Sequence, residues 1–167
     1  MKLFSRCSLV LGACLILSSA RGALLFYEPF NYTNGPLVTV SAGLWTTHSG
    51  TTGQLDVISG RADLRVPETE DVNTLVPGQP YSSSTSTTLY ASFTINVTNL
   101  PNAAGQYFAH FKGASTSNFR AKVFVLTSGA GANAFRVGLA NSANAPVVTN
   151  AVDLNLNTDY RVYLKFV

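Results

Sequence analysis

Eight carboxylates and two imidazoles are the side chains of this 167-residue chain that ordinarily titrate below neutral pH. One run gathers three of the carboxylates: Glu68-Thr69-Glu70-Asp71, directly after Pro67. Glycosidic hydrolysis with retention needs two carboxyl groups about 5–5.5 Å apart, one as acid and one as nucleophile. The run has the right residue types. It lies, however, in a stretch without strand periodicity, and no aromatic residue in it could grip a sugar ring. A solvated loop accounts for it better than a catalytic pair. Between the two stands a weak calcium site at Glu68, Glu70 and Asp71. Calcium takes roughly six to eight oxygens, so Asp56, Asp63 or backbone carbonyls would have to complete the shell. Ca²⁺ is the one cofactor these residues suggest, and nothing in their spacing demands it.

His48 sits in a Gly/Thr-rich segment. His110 falls on the face opposite Tyr107, Ala109 and Phe111, beside Phe108 and Lys112. Two isolated imidazoles do not make a zinc site, which takes three or four ligands at recognisable spacing. No Gly-x-Ser-x-Gly elbow supports a Ser-His-Asp triad. Phosphate loops, dinucleotide fingerprints, heptads and internal repeats do not appear. Three aromatics could stack on a sugar: Trp45, Tyr81 and Tyr90. Trp45 beside Leu44 reads as core. Tyr90 lies on the polar face of its strand and is the best candidate for a ligand platform. Asn31-Tyr32-Thr33 and Asn96-Val97-Thr98 fit the N-glycosylation sequon.

The N-terminus has the order of a secretory leader. Lys2 and Arg6 precede an apolar run, Cys7 to Leu17, and the small residues Ser18, Ser19, Ala20 and Gly22 follow. The apolar run is shorter than the roughly 20 residues a bilayer-spanning helix needs. Residues 1–22 are therefore expected to be a signal peptide, cut after Ala20 or Gly22, with residues 23–167 as the mature domain. Leu11-Gly12-Ala13-Cys14 has the form of a lipobox, but Leu15-Ile16-Leu17 continues the apolar run past it, which favours an ordinary leader. Both cysteines leave with the leader, so the domain has no disulfide. It must be held by its own core, and about 145 residues suffice for one. The formal charge of +3 is also a leader effect: three of eleven Lys and Arg precede Ala23, leaving eight against eight Asp and Glu. A balanced domain has no electrostatic footprint for nucleic acid or acidic lipid.

The elements that must position these residues read as strands. From Leu89 to Val97, apolar residues fall on every second position, with Tyr90, Ser92, Thr94 and Asn96 between them, the period of a half-buried strand. Leu100 to Gly105 breaks that strand, and Tyr107 to Lys112 resumes it. Ala23 to Phe30 is a further expected strand, apolar on both faces, and Asn34-Gly35-Pro36 is a turn. Thr47 to Gly53 reads as a polar loop. Leu55–Ile58 and Arg61–Val66 form a hairpin about Ser59-Gly60. Pro67 to Ser86 is a long irregular stretch that runs into the Ser/Thr tract Ser82–Thr88, read as loop. Phe119–Thr127, Phe135–Leu139 and Tyr160–Phe166 alternate as strands, and Ala143–Asn150 connects two of them. Almost no helix is expected. The fold class is all-β: short alternating strands between Gly, Asn and Pro turns form an antiparallel sandwich. An apolar final strand ending at Val167 would be an aggregation liability, which suggests a fragment truncated at its C-terminus.

In order along the chain, LLFYEPFNYTNG, LDVISGRADLRV, TLYASFTINVTNLPNAAGQYFAHF, FRVGLAN and DLNLNTDYRVYLKF resemble the concanavalin A-like lectin/glucanase class, laminin-G-like jelly rolls of large secreted bacterial proteins. The resemblance covers nearly all of Leu24 to Val167. It implies a jelly-roll β-sandwich with at least one more strand after the last one here. It also implies an exported protein, secreted or at the cell surface, whose partners are glycans or cell-surface polymers and other modules of the same longer chain. Glucanases of this class carry catalytic residues as Glu-x-Asp-x-Glu or a close variant on one strand, and this chain has no such strand. The expected function is a non-catalytic module for carbohydrate or surface recognition, with Tyr90, Trp45 and Tyr81 as ligand contacts. A glycoside hydrolase or lyase of the same fold, or a purely structural cell-surface module, are the alternatives, since one fold hosts many functions.

Overall fold

A computed structural model describes residues 22–81, 87–115 and 118–167. The expected leader lies outside the described residues except for Gly22, and so do residues 82–86 of the Ser/Thr tract. The molecule is all-β with almost no helix, built as several antiparallel sheets that do not close into a barrel. Among the described residues no helix is long and apolar enough to cross a membrane.

In chain order the elements are β1 (Gly35–Pro36), α1 (Leu37–Val40), β2 (Thr46–Ser49), β3 (Asp56–Ile58), β4 (Arg61–Asp63) and β5 (Asp71–Asn73). They continue as β6 (Leu89–Asn96), β7 (Gln106–Lys112), β8 (Phe119–Leu126), β9 (Ala134–Ala140), β10 (Val148–Thr149), β11 (Leu154–Asn155) and β12 (Asp159–Phe166). The largest sheet has the order β10-β9-β8-β7, with β11 also on β9. β6 pairs with β12 as a long two-stranded ribbon. β1, β3 and β4 form a small sheet, and β2 pairs with β5.

The β6–β12 ribbon has the alternation its sequence predicts. Leu89, Ala91, Phe93 and Ile95 lie opposite Phe166, Leu164, Val162 and Tyr160, so one face is apolar throughout. That face meets the large sheet through aromatic pairs: Phe93 with Phe108 at 5.7 Å, Phe111 with Phe166 at 5.9 Å, and Phe135 with Tyr160 at 6.2 Å between ring centroids. The arrangement is sandwich-like. Burying such faces is the main stabilising term, at roughly 25 cal/mol per Å² of apolar surface. On the opposite side of the large sheet, the β2–β5 pair lies over β7 and β8. His48 of β2 meets Phe119, and Asp71 of β5 meets Tyr107.

The 59–60 hairpin also forms as its sequence predicts. Ser59 and Gly60 both have positive φ, 51° and 74°, between Ile58 and Arg61. This is the twist a two-residue hairpin turn needs.

Five expectations are corrected. Residues 23–30 form no strand, and Tyr27 is 74% exposed. In place of ladder bonds, the Glu28 carboxylate accepts hydrogen bonds from the Phe30 amide (2.6 Å), the Tyr32 hydroxyl (2.8 Å) and Trp45 Nε1–H (2.9 Å). Phe30 takes a φ of 53°, which no strand tolerates. The Asn34-Gly35-Pro36 signal is not a free turn either, because Gly35 and Pro36 bridge to Val57 and Asp56 before the single turn of α1. The polar loop at 47 and the irregular stretch after Pro67 each supply a strand, β2 and β5, which pair with one another. Their short polar sequences carry no periodicity, so only the pairing partner reveals them. The connection 143–150 likewise contributes β10.

Candidate functional site

The outer face of the β6–β12 ribbon is the candidate site. Its rows follow from the ladder: Tyr90 stands opposite Lys165, Ser92 opposite Tyr163, Thr94 opposite Arg161, and Asn96 opposite Asp159. The side-chain period of two puts all eight residues on one surface, and all eight are exposed. Tyr90 is 74% exposed and Tyr163 is 78% exposed. They are diagonal neighbours across the pair, roughly 7–8 Å apart at Cα, a spacing at which aromatic rings share one platform. An open groove of about 390 Å³ runs beside them, lined by Tyr90, Ala91, Ser92, Tyr163, Leu164 and Lys165. A larger groove of about 530 Å³ lies between Leu139, Val147, Val148 and the end of β12. It is lined mostly by aliphatic side chains. The smaller groove is the one that carries both exposed tyrosines, with Ser92 beside them, while Lys165 lines both grooves.

One end of the platform is fixed by charge. Arg61 of β4 makes a bidentate pair with Asp159, both nitrogens at 2.9 Å from the two carboxylate oxygens. Asn96 Nδ2–H adds a third bond to Asp159 at 2.7 Å. Arg61 first, then Asn96, pulls the Asp159 carboxyl down to about 2. The loop hairpin is thereby tied to the ribbon, and Asp159 presents little free negative charge.

The other expected site residues do not join this face. Trp45 packs edge-on to Phe26 at 6.2 Å and stacks near Phe30 at 6.1 Å, with its N–H on Glu28. Tyr81 gives its hydroxyl to the Pro77 carbonyl and lies over Gly78. Glu70 accepts bonds from Thr47 Oγ1–H (2.7 Å) and the Leu55 amide (2.8 Å), which anchor β2 and the start of β3. Asp71 accepts from Ser49 Oγ–H at 2.9 Å and from the Tyr107 hydroxyl at 3.3 Å. Glu68 folds its methylenes against Gly53. Asp63, one of the groups that could complete a calcium shell, instead takes Arg65 at 2.6 Å. Among the described residues no group of three or more His, Cys, Asp and Glu is placed to hold a metal ion.

A second convergence has no signal in the sequence. β7 and β8 run out of step at two bulges: one residue separates Ala109 from Phe111, while two, Ala121 and Lys122, separate their partners Val123 and Arg120. Ala121 takes a φ of 49° to make the bulge. Strict alternation fails there, and Tyr107 and His110 come to 5.8 Å from one another on one side of the sheet. Lys122, 2% exposed, lies among them with Nζ 4.2 Å from the Tyr107 ring centre. Its ammonium donates to the Ala143 carbonyl at 3.1 Å. Burial lowers the Lys122 pKa against the pull of Asp71. Burial also lowers His110 and raises Tyr107, the latter helped by Asp71. These groups are spent on one another and on the closure of β2–β5 over the sheet, so the cluster reads as a polar seam in the interior.

Compared with protein-family models, curated proteins and solved structures, the chain matches none.

Proposed function

We propose that this chain is a non-catalytic extracellular module of jelly-roll type, akin to the concanavalin A-like class. In this reading it is exported by its leader and binds a carbohydrate or cell-surface polymer on the outer face of β6–β12. The observation that carries the reading is the paired exposure of Tyr90 and Tyr163 on a regular strand pair. Large aromatic side chains left in water at this level cost solvation free energy, and two on one rigid surface favour a ligand with flat apolar faces. Sugar rings have such faces. The rigid ladder matters as well, because a site on strands is held more precisely than one on loops. The non-catalytic part rests on the carboxylates: Glu70 and Asp71 already accept bonds from their own chain, and Asp159 is held by Arg61.

The test is a glycan array probed with the exported protein, followed by titration of any hit. Tyr90→Ala and Tyr163→Ala should each weaken binding about tenfold, roughly 1.4 kcal/mol, with thermal unfolding unchanged. Binding that survives both substitutions would remove the site from this face. A folded protein that binds no glycan would leave a structural role as the better account.

A further inference from the structure

Successive outward positions of β12 read Lys165, Tyr163, Arg161 and Asp159. Strand rise spaces them about 6.7 Å apart, so the two free cations stand about 13 Å apart with an exposed ring between them. Asp159, the one carboxylate of the face, has both oxygens on Arg61 and a further bond from Asn96. Among the described residues neither Arg161 nor Lys165 pairs with a carboxylate within 4.0 Å. The face thus carries three cations, Arg61, Arg161 and Lys165, against one acid. It does so on a chain whose charges after residue 22 balance at eight against eight. The positive charge is local to the platform and is not inherited from the composition.

Resting on the reading of this face as a recognition surface, we propose that its ligand is an anionic polysaccharide, an extended chain bearing carboxylate or sulfate groups. The rings take the sugar faces, and Arg161 and Lys165 take acid groups on either side of Tyr163. A neutral glycan would leave both cations without a partner. The planar fork of Arg161 suits a carboxylate or sulfate in a bidentate pair, and Lys165 supplies a mobile point charge beside Tyr90. A single-stranded nucleic acid also combines rings with negative charge, but the proteins that hold it line a basic groove along several nucleotides. Two unpaired cations on a ribbon fall short of that.

The full exported chain is titrated with two matched pairs of polymers. These are polygalacturonate with its fully methyl-esterified form, and dextran sulfate with dextran. A dT oligonucleotide is the third probe. At least one charged polymer should bind at least tenfold more tightly than its uncharged partner. That preference should shrink with added salt, since exposed ion pairs are screened over about 10 Å at 0.1 M. Arg161→Gln with Lys165→Gln should abolish the preference. Binding in which neither charged polymer is preferred to its uncharged partner, equal or weaker in both pairs, overturns the anionic class and leaves the recognition face standing. Binding to dT tighter than to every polysaccharide overturns it in favour of nucleic acid. No binding to any polymer overturns the recognition reading itself. The salt dependence of the unsubstituted protein decides the matter even if the double variant fails to fold.

Discussion

His110 is held neutral by its surroundings, and that has a consequence for stability. Its folded pKa lies below the ordinary 6.5, chiefly because of burial; Lys122 and His48 add to the shift, and the Phe111 carbonyl and Asp71 oppose it. A base with a depressed folded pKa binds fewer protons in the native state than in the unfolded chain. Its stabilising contribution is therefore complete above 6.5 and is lost as pH falls through the folded value. The urea midpoint should drop as pH falls below 6.5, and His110→Gln should flatten that drop. An unchanged slope in the variant would contradict the assignment. Asp159 acts in a separate window. Its folded value of about 2 lies below the ordinary 3.8, so its contribution is present above 3.8 and fades as pH falls toward 2. At this scale Tyr90 was legible because strict alternation fixes the face of every residue in β6. The Tyr107–His110–Lys122 seam was not, because a bulge is set by how two strands fit. Neither strand's own sequence announces it.

Among the elements, the β2–β5 pair depends on close backbone contact rather than on apolar burial. A Cβ on Gly50 would lie 1.7 Å from the Thr69 carbonyl oxygen, and Gly50 has a φ of 80°. The two segments cross there, tied by the Thr69 amide on the Thr52 carbonyl at 2.7 Å. Gly50→Ala must push them apart, and we expect a loss of about 2–4 kcal/mol in denaturant unfolding, from steric overlap together with backbone strain. Gly60→Ala is the control. It has a φ of 74° but no atom within 4 Å of its Cβ, so only the conformational cost of about 1 kcal/mol applies. Equal effects at the two sites would refute the close-contact account. β2 and β5 also mark where local reading stops. Thr46–Ser49 and Asp71–Asn73 are short and polar, and only the residues that face them across the ladder identify them as strands. The 59–60 hairpin needed no such partner, since its turn chemistry is local. The failed strand at 23–30 is the converse case. Its apolar residues have strand propensity, but the carboxylate of Glu28 collects three donors and holds the backbone in another shape. Side-chain bonds, two of them local and one from the distant Trp45, override propensity there.

At the level of the molecule, a two-stranded ribbon and a pair of short strands lie on opposite sides of one larger sheet. β8 is consequently buried on both faces, with Lys122, Val123 and Phe124 all inside. A two-period pattern predicts one wet face for that strand, and the layers on both sides remove it. The ribbon has the opposite fate, with one face in the core and one in water. All the exposed strand-borne aromatic surface of the candidate site sits on that wet face. We place the proposed ligand on this face rather than in the aliphatic groove at Leu139 and Val148. Amide chemical shifts followed during titration with a bound polysaccharide distinguish the two. Perturbations should concentrate at Tyr90, Ser92, Thr94, Arg161 and Tyr163. Perturbations centred on Leu139, Val147 and Val148, with the ribbon unmoved, would contradict that placement.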